Sequence, residues 1–242
     1  MKSTNVICIL AKCPSPGAVK PKLEEYLGRK EASFLARAFL LDTISTVLRV
    51  PRTEPKLAFC PPESISQFQD ILYLFENEEQ DIKISRRASQ ISLLPQDGDC
   101  LGDKLRNLSQ RFFESEDTKR LLFVCSDNPI LDPLLLKAAI ELLKKSSAVL
   151  GPTFDGGFYL FGVNGHYPRL YDEINWSDNY TYKQIVERLD TEKLKWQELE
   201  ISYDVDGPEE LEQLYSDIDT LRLTGKTNIC LHTERCLANL KQ

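Results

Sequence analysis

Apolar residues fall along this chain in short runs that alternate between two spacings. Asn5 to Leu10 is a compact apolar run with branched side chains, and the Pro- and Gly-containing stretch Pro14 to Pro21 closes it. That pairing predicts a buried strand feeding a loop. From Glu31 to Val50, Phe34, Leu35, Ala38, Leu41, Ile44 and Leu48 recur at helical spacing. The alternation continues, with strands predicted at Lys56 to Cys60, Ile91 to Leu94 and Arg120 to Cys125. Helices are predicted at Glu63 to Leu74, Leu101 to Phe112 and Pro133 to Lys144, the last with proline in its first turn.

The pattern then changes. Ala148 to Gly151 and Phe158 to Val163 are strand-like runs separated only by Pro152 to Gly157. That link is too short for a helical crossover, so the two runs should pair antiparallel. Helices are expected at Tyr180 to Leu189 and Pro208 to Leu221, with a strand-like Trp196 to Ile201 between them. The tail, Thr224 to Gln242, carries a weak helical pattern in Cys230, Leu231, Leu237 and Leu240 and names no packing partner. The expected fold class is α/β: a mostly parallel sheet with helices on both faces and a late antiparallel element. Neither a repeat nor a linker interrupts it, and a single domain over 1–242 is expected.

Composition narrows the function. At 42% hydrophobic and 28% charged residues, the chain can fill a core and solvate a surface, which excludes disordered and collagen-like classes. Its early apolar run, Val6 to Ala11, is far short of the ~20 residues a bilayer span needs and lacks a signal-peptide cleavage pattern. Seven cysteines without a C-x-x-C pair read as reduced thiols, so a cytoplasmic protein with no membrane span is expected. His166 and His232 are the only histidines, which argues against zinc and against any nucleophile that needs an imidazole base.

The net charge of -7 argues against nucleic acid as a partner. The charge is uneven, however: residues 1–60 carry 10 Lys+Arg against 5 Asp+Glu, and residues 61–242 carry 20 against 32. A basic start on an acidic chain suits a small anionic ligand near the N-terminus with a cation held by later carboxylates. Uneven surface charge explains the same numbers. Oligomeric state leaves no signal in the sequence.

In an open α/β sheet, ligands sit beyond the carboxyl ends of the strands, so the residues following each run are the informative ones. After the first strand come Ala11, Lys12, Gly17, Lys20, Pro21 and Lys22. Small residues let backbone approach a ligand and the lysines can neutralise phosphate, although neither dinucleotide nor P-loop spacing is present. After the clearest strand comes Ser126-Asp127-Asn128-Pro129, which offers hard oxygen ligands to Mg2+ or Mn2+, or a cap to the next helix. Asp155-Gly156-Gly157 has the look of a hairpin turn. Asp204-Val205-Asp206 precedes a helix opened by Pro208, where capping is again a sufficient use.

A set of motifs recurs in order. They are Leu10-Ala11-Lys12, Pro14, Pro16-Gly17, Val19-Lys20, Leu23, Ala38 to Thr43, Leu94-Pro95-Gln96, Gly98-Asp99, Leu101-Gly102, Asp127, Pro129, Gly151-Pro152, Asp155-Gly156-Gly157, Tyr159-Leu160, Trp176-Ser177 and Asp204-Val205-Asp206. The chain thereby resembles the DUF2064 proteins from about residue 5 to 215. These are GT-A-like glycosyltransferases, some linked to arsenosugar biosynthesis and others to radical-SAM/selenodomain clusters.

The resemblance implies a nucleotide-diphospho-sugar transferase fold and a metal-dependent glycosyltransferase, with a nucleotide sugar as donor and a small-molecule acceptor. A pyrophosphate-releasing nucleotidylyltransferase acting on a nucleoside triphosphate is the alternative, and a non-catalytic nucleotide- or partner-binding protein a further one. Carried over, Ala11, Lys12, Gly17, Lys20 and Lys22 bind the nucleotide, and Asp127 and Asp206 hold Mg2+ or Mn2+, with Asp204 a weaker candidate. Asp127 and Asp155 are the catalytic candidates, and Asp155, Gly156, Gly157 and Trp176 face the acceptor. This chain has Val19-Lys20-Pro21-Lys22-Leu23 where the family usually has Val-Lys-Thr-Arg-Leu. It also has Ser126-Asp127-Asn128-Pro129 where Thr-Asp-Ser-Pro is usual, and Gly207 where Thr follows the last Asp.

Overall fold

Successive residues of the first strand face opposite sides of a sheet, and that alternation divides the core. In β1 (Thr4–Lys12), Ile7, Ile9 and Ala11 enter one apolar cluster while Val6, Cys8 and Leu10 enter another. The structure is a computed structural model that describes residues 4–79, 81–115 and 118–240, with the side chain of Ser115 left aside. Both ends of the expected domain, and the last two residues of the expected tail, lie outside the described residues.

β1 is flanked by β2 (Thr53–Cys60) and β4 (Thr118–Cys125), both parallel to it, and β3 (Ser92–Pro95) runs parallel to β2. Beyond β4 lies the antiparallel element, in which β6 (Phe158–Val163) runs opposite to both β4 and β5 (Ala148–Pro152). With β7 (Trp196–Glu198) parallel to β5, the sheet order is β3-β2-β1-β4-β6-β5-β7. This is the expected fold class. Lys12 pairs with Cys60 and Leu10 with Cys125, so the three central parallel strands end side by side.

Helices cover both faces. α2 (Arg29–Leu48) packs Leu40, Ile44 and Val47 on the sheet and turns Ala32, Leu35 and Phe39 to an outer cluster. That outer cluster includes residues of α1 (Pro21–Leu27), α8 (Pro208–Leu223) and α9 (Leu231–Leu240). Sandwiched this way, α2 is buried over most of its circumference, polar Asp42, Thr43 and Thr46 included, and Phe34, at an apolar position of the predicted helix, is exposed. α3 (Ile65–Glu78), α4 (Ile82–Ala88) and α6 (Pro133–Leu142) share the face of α2, and α5 (Leu101–Ser115) and α7 (Thr181–Thr191) cover the other.

Three elements differ from expectation. α1 and α4 are each only two turns long, and hydrophobic periodicity cannot register so short a helix. α4 is instead fixed from outside: Arg87 donates to the carbonyls of Leu48, Val50 and Thr53 at 2.6, 2.7 and 2.9 Å. β7 stops at Glu198, short of the expected Ile201, which is exposed. The tail helix α9 docks on α2 through buried Asp42, whose carboxylate accepts the backbone N–H groups of His232 and Thr233 at 2.9 and 2.8 Å. The seven cysteines are free, and no helix among the described residues is long and apolar enough to cross a membrane.

Candidate functional site

The carboxyl ends of β1, β2 and β4 open into a cavity of about 530 Å³. Ala11, Lys12, Lys20, Lys22, Asp127 and Asp206 all border it. The loop after β1 is held by short backbone bonds, Ser15 to Cys13 at 2.8 Å and Ala18 to Ser15 at 3.0 Å. Gly17 takes a left-handed φ of 82° and donates its N–H to Glu24 at 2.6 Å. Glycine is needed there for the turn, and its N–H already has an acceptor within the chain.

Lys20 precedes α1, also in the left-handed region, with φ 55° and ψ 56°. Its side chain points inward. The ammonium lies 3.0 Å from an Asp127 oxygen and 2.7 Å from an Asp206 oxygen, with the Phe39 ring centre 5.9 Å away. Burial alone lowers the pKa of this lysine, but Asp127 and Asp206 overcome it and hold the ammonium above its ordinary range. Lys12 and Lys22 are exposed. Pro21 is the first residue of α1, where its fixed φ suits the helix.

The two carboxylates are not helix caps. Asp132 caps α6, accepting the Leu134 N–H at 2.8 Å, and Asp127 stands five residues earlier, in the turn that leaves β4. At α8 the cap residue is Gly207, whose N–H donates to Glu210 at 2.8 Å, so Asp206 is not required there either. The segments are tied together by the Val205 N–H, which donates to the Asp127 carbonyl at 2.9 Å. Their side chains are 40% and 49% exposed, whereas the Lys20 side chain between them is 5% exposed.

The acceptor-side candidates do not all meet here. Asp155 borders an adjoining cavity of about 280 Å³ with Lys22, Tyr203, Asp204 and Asp206. One of its oxygens accepts from the Thr153 hydroxyl at 2.5 Å and the Gly157 N–H at 3.1 Å, the bonds of a tight hairpin turn. Gly156, at φ 86°, lies so close to the Asn179 carbonyl that a side chain would collide with it. Trp176 packs on the Phe158 and Tyr171 rings, each 6.4 Å away, and against Gly102. Gly156 and Trp176 have close packing contacts, and of the four candidates Asp155 alone lines either of these two cavities.

Three further residues matter. Gln96 follows β3 and is buried; its amide donates to the Ala58 carbonyl at 2.7 Å and it borders the cavity. Its place in the Leu94-Pro95-Gln96 motif was the available signal. Asn128 donates to Ser202 at 2.8 Å, but its own side-chain oxygen is buried without a partner. Asp204 likewise has a buried oxygen without a partner, and burial with the Asp127 charge pushes its carboxyl well above the ordinary range. Burial and the Asp204 charge also push up the Cys125 thiol in the same cavity, which keeps it protonated and poorly nucleophilic.

No group of three or more His, Cys, Asp or Glu side chains among the described residues forms a ready-made metal cage. The donors present nevertheless fit a hard divalent ion bound together with phosphate. A single cation, here the ammonium, already touches Asp127 and Asp206 at once, and Asp204 holds an unpaired oxygen nearby.

The model of the DUF2064 family, described as an uncharacterized protein conserved in bacteria, matches residues 63–178. That span holds Asp127 and Asp155, but neither the loop after β1 nor Asp204 to Asp206. No curated protein matches the chain. Among solved structures it is similar to a Desulfovibrio desulfuricans G20 protein provisionally named a nucleotide-diphospho-sugar transferase. Identity is 27%, the TM-score 0.70, and 85% of this chain and 83% of that one are covered. It is also similar to CMP:2-keto-3-deoxy-manno-octonic acid synthetase complexed with CTP, at 13% identity and TM-score 0.55, covering 90% and 99% of the two chains. A third is Rv0371c of Mycobacterium tuberculosis H37Rv in complex with manganese, at 12% identity and TM-score 0.51, covering 88% and 98%. The α/β fold of the nucleotide-diphospho-sugar transferases is therefore the fold of this chain.

Proposed function

We propose that this chain is a metal-dependent glycosyltransferase that takes a nucleoside-diphosphate sugar as donor and a small molecule as acceptor. The observation that carries the reading is the single cavity at the carboxyl ends of β1, β2 and β4. There Lys12 at the end of β1, Lys20 in the loop that follows and Lys22 in the first turn of α1 border the same space as Asp127 and Asp206 from two other segments. Lys12 and Lys22 would neutralise the diphosphate, and Gln96 would fix the cavity wall by its bond to β2. Asp127 and Asp206 would hold Mg2+ or Mn2+, with Asp204 behind them. Such an ion stabilises the charge that gathers on a departing diphosphate. Asp155, across Lys22 in the adjoining cavity, would orient the acceptor or take its proton. Gly17 would act by shaping the loop.

A nucleotidylyltransferase is the second reading, favoured by the likeness to a synthetase complexed with CTP. The same lysines and carboxylates would then face a nucleoside triphosphate. We take the whole chain as one domain, because one sheet gathers all its strands, and place it in the cytoplasm on the strength of seven free cysteines.

The test is a thermal-shift panel of nucleotide sugars and nucleoside triphosphates, with Mn2+ and with a chelator, since a ligand that binds the folded state raises its melting temperature. Hits are then assayed for release of nucleoside diphosphate or of pyrophosphate with candidate acceptors. Nucleoside diphosphate release supports the glycosyltransferase, and pyrophosphate release replaces it with the second reading. No metal-dependent shift with any nucleotide would overturn both in favour of a non-catalytic protein.

A further inference from the structure

Lys20 differs from the two lysines beside it. Lys12 and Lys22 are exposed, while Lys20 is held inward from a left-handed backbone position that residues with a Cβ occupy only at a cost. Its ammonium stands where a cation shared by Asp127 and Asp206 would stand, 3.0 and 2.7 Å from their oxygens. An ammonium and a divalent ion cannot both occupy that point, because two cations in contact repel each other. Nor can the ammonium simply leave, since a desolvated charge stripped of its partners is strongly disfavoured. A diphosphate in the cavity changes the balance by offering Lys20 new anionic oxygens.

We propose that Lys20 is an internal cation that keeps the metal position filled until a diphosphate draws it away. The divalent ion therefore enters with the diphosphate and binds poorly alone. The inference rests on the reading that Asp127 and Asp206 hold the metal, and it adds an order of binding and a role for Lys20 distinct from a fixed phosphate contact.

Mn2+ alone is titrated into the wild-type protein, Lys20→Met, Lys20→Gln and the double variant Lys20→Met/Asp206→Asn, and free Mn2+ is followed by electron paramagnetic resonance. The titrations are repeated with a nucleoside diphosphate, CDP or UDP. The expected result is at least about tenfold tighter Mn2+ binding by Lys20→Met and Lys20→Gln than by wild type, equivalent to ~1.4 kcal/mol. The double variant should lose the gain, and the nucleoside diphosphate should close most of the gap for wild type.

Folded Lys20 variants that bind Mn2+ no tighter than wild type would overturn the inference. So would wild-type protein that binds Mn2+ equally well with and without nucleoside diphosphate, whatever the variants do. In either case, Mn2+ uptake that Asp127→Asn or Asp206→Asn abolishes leaves the metal reading standing. Failure of all proteins to bind Mn2+ under every condition overturns both.

Discussion

Asp127→Asn separates a metal ligand from a structural carboxylate. The change keeps the volume of the side chain and removes its charge. Helix α6 does not feel it, because Asp132 supplies the cap. Lys20 keeps Asp206 at 2.7 Å, and Asp127 itself is 40% exposed, so the lost ion pair is largely screened by solvent. An interaction of that kind contributes no more than about 1 kcal/mol, and in a chain of this size ~1 kcal/mol lowers the melting temperature by about 2–4 °C. Ligand binding acts on a larger scale: at 100 times its dissociation constant a ligand adds ~2.7 kcal/mol, or about 5–10 °C by the same conversion. Differential scanning fluorimetry with a nucleotide identified in the panel, in Mn2+ and in chelator, therefore resolves the two effects. The expected outcome is a melting temperature within a few degrees of wild type and loss of the Mn2+-dependent part of the nucleotide shift. A variant that retains the full Mn2+-dependent shift would exclude Asp127 as a ligand.

Asp42→Ala removes the acceptor of two buried N–H groups at the start of α9, each costing about 1–3 kcal/mol when unpaired, so urea denaturation should show a loss of ~2–6 kcal/mol. A loss under about 0.5 kcal/mol, the size of an ordinary surface change, would mean that α9 does not depend on this contact. Burial pushes the Asp42 carboxyl up to about 7 against hydrogen bonds that pull it down, so the folded state keeps a proton that the unfolded chain releases near its ordinary 3.8. Stability should accordingly fall as pH rises from about 4 to 7, and Asp42→Asn should flatten that part of the profile; an unchanged slope in the variant would assign it to other groups. Gly102→Ala would set a methyl carbon 2.2 Å from the Trp176 indole nitrogen, an overpacking worth about 1–3 kcal/mol. Trp176→Phe in the same chain should return part of that loss, and a double variant no more stable than Gly102→Ala would place the strain elsewhere.

The sheet was legible because its central strands are buried on both faces. Val6 to Leu10 and Leu121 to Val124 are unbroken apolar runs since neither side of those strands meets water. The hairpin of β5 and β6 was legible from the shortness of Pro152 to Gly157, which leaves no room for a crossover. What escaped has a common cause: it depends on contacts far apart in sequence. Nothing local marks Asp42 as the clamp of a helix 190 residues later, and nothing in the polar sequence of α1 announces that Pro21 starts a helix. The candidate site divides the same way. Strand ends located Asp127 and the basic loop, but whether a lysine faces solvent or carboxylates is settled only by the fold. Asp155 and Trp176 were drawn toward one acceptor side by motif order, whereas a hairpin turn and an aromatic cluster account for most of their contacts.

The departures from the usual family pattern gain meaning from where they lie. Pro21 and Lys22 open α1, and the stem of Lys22 runs beside Gly207: a Cβ at position 207 would sit 3.5 Å from the Lys22 Cδ and 3.1 Å from the Glu210 carboxylate. Ser126 and Asn128, the remaining departures, flank Asp127, whose carbonyl receives the Val205 N–H two residues before Gly207. The departures thus border one another around the carboxylates and are not scattered over the molecule. Proline suits the first helical position and the Asn128 amide donates to Ser202, but the Lys22 stem does not require glycine at 207, because a Cβ there would meet it at an ordinary contact distance, and the Asn128 oxygen is left without a partner. Lys20 still stands 3.0 and 2.7 Å from Asp127 and Asp206 amid these changes, so under the proposed function the two carboxylates keep the capacity to hold a cation, which a site that had lost its ligand would not need.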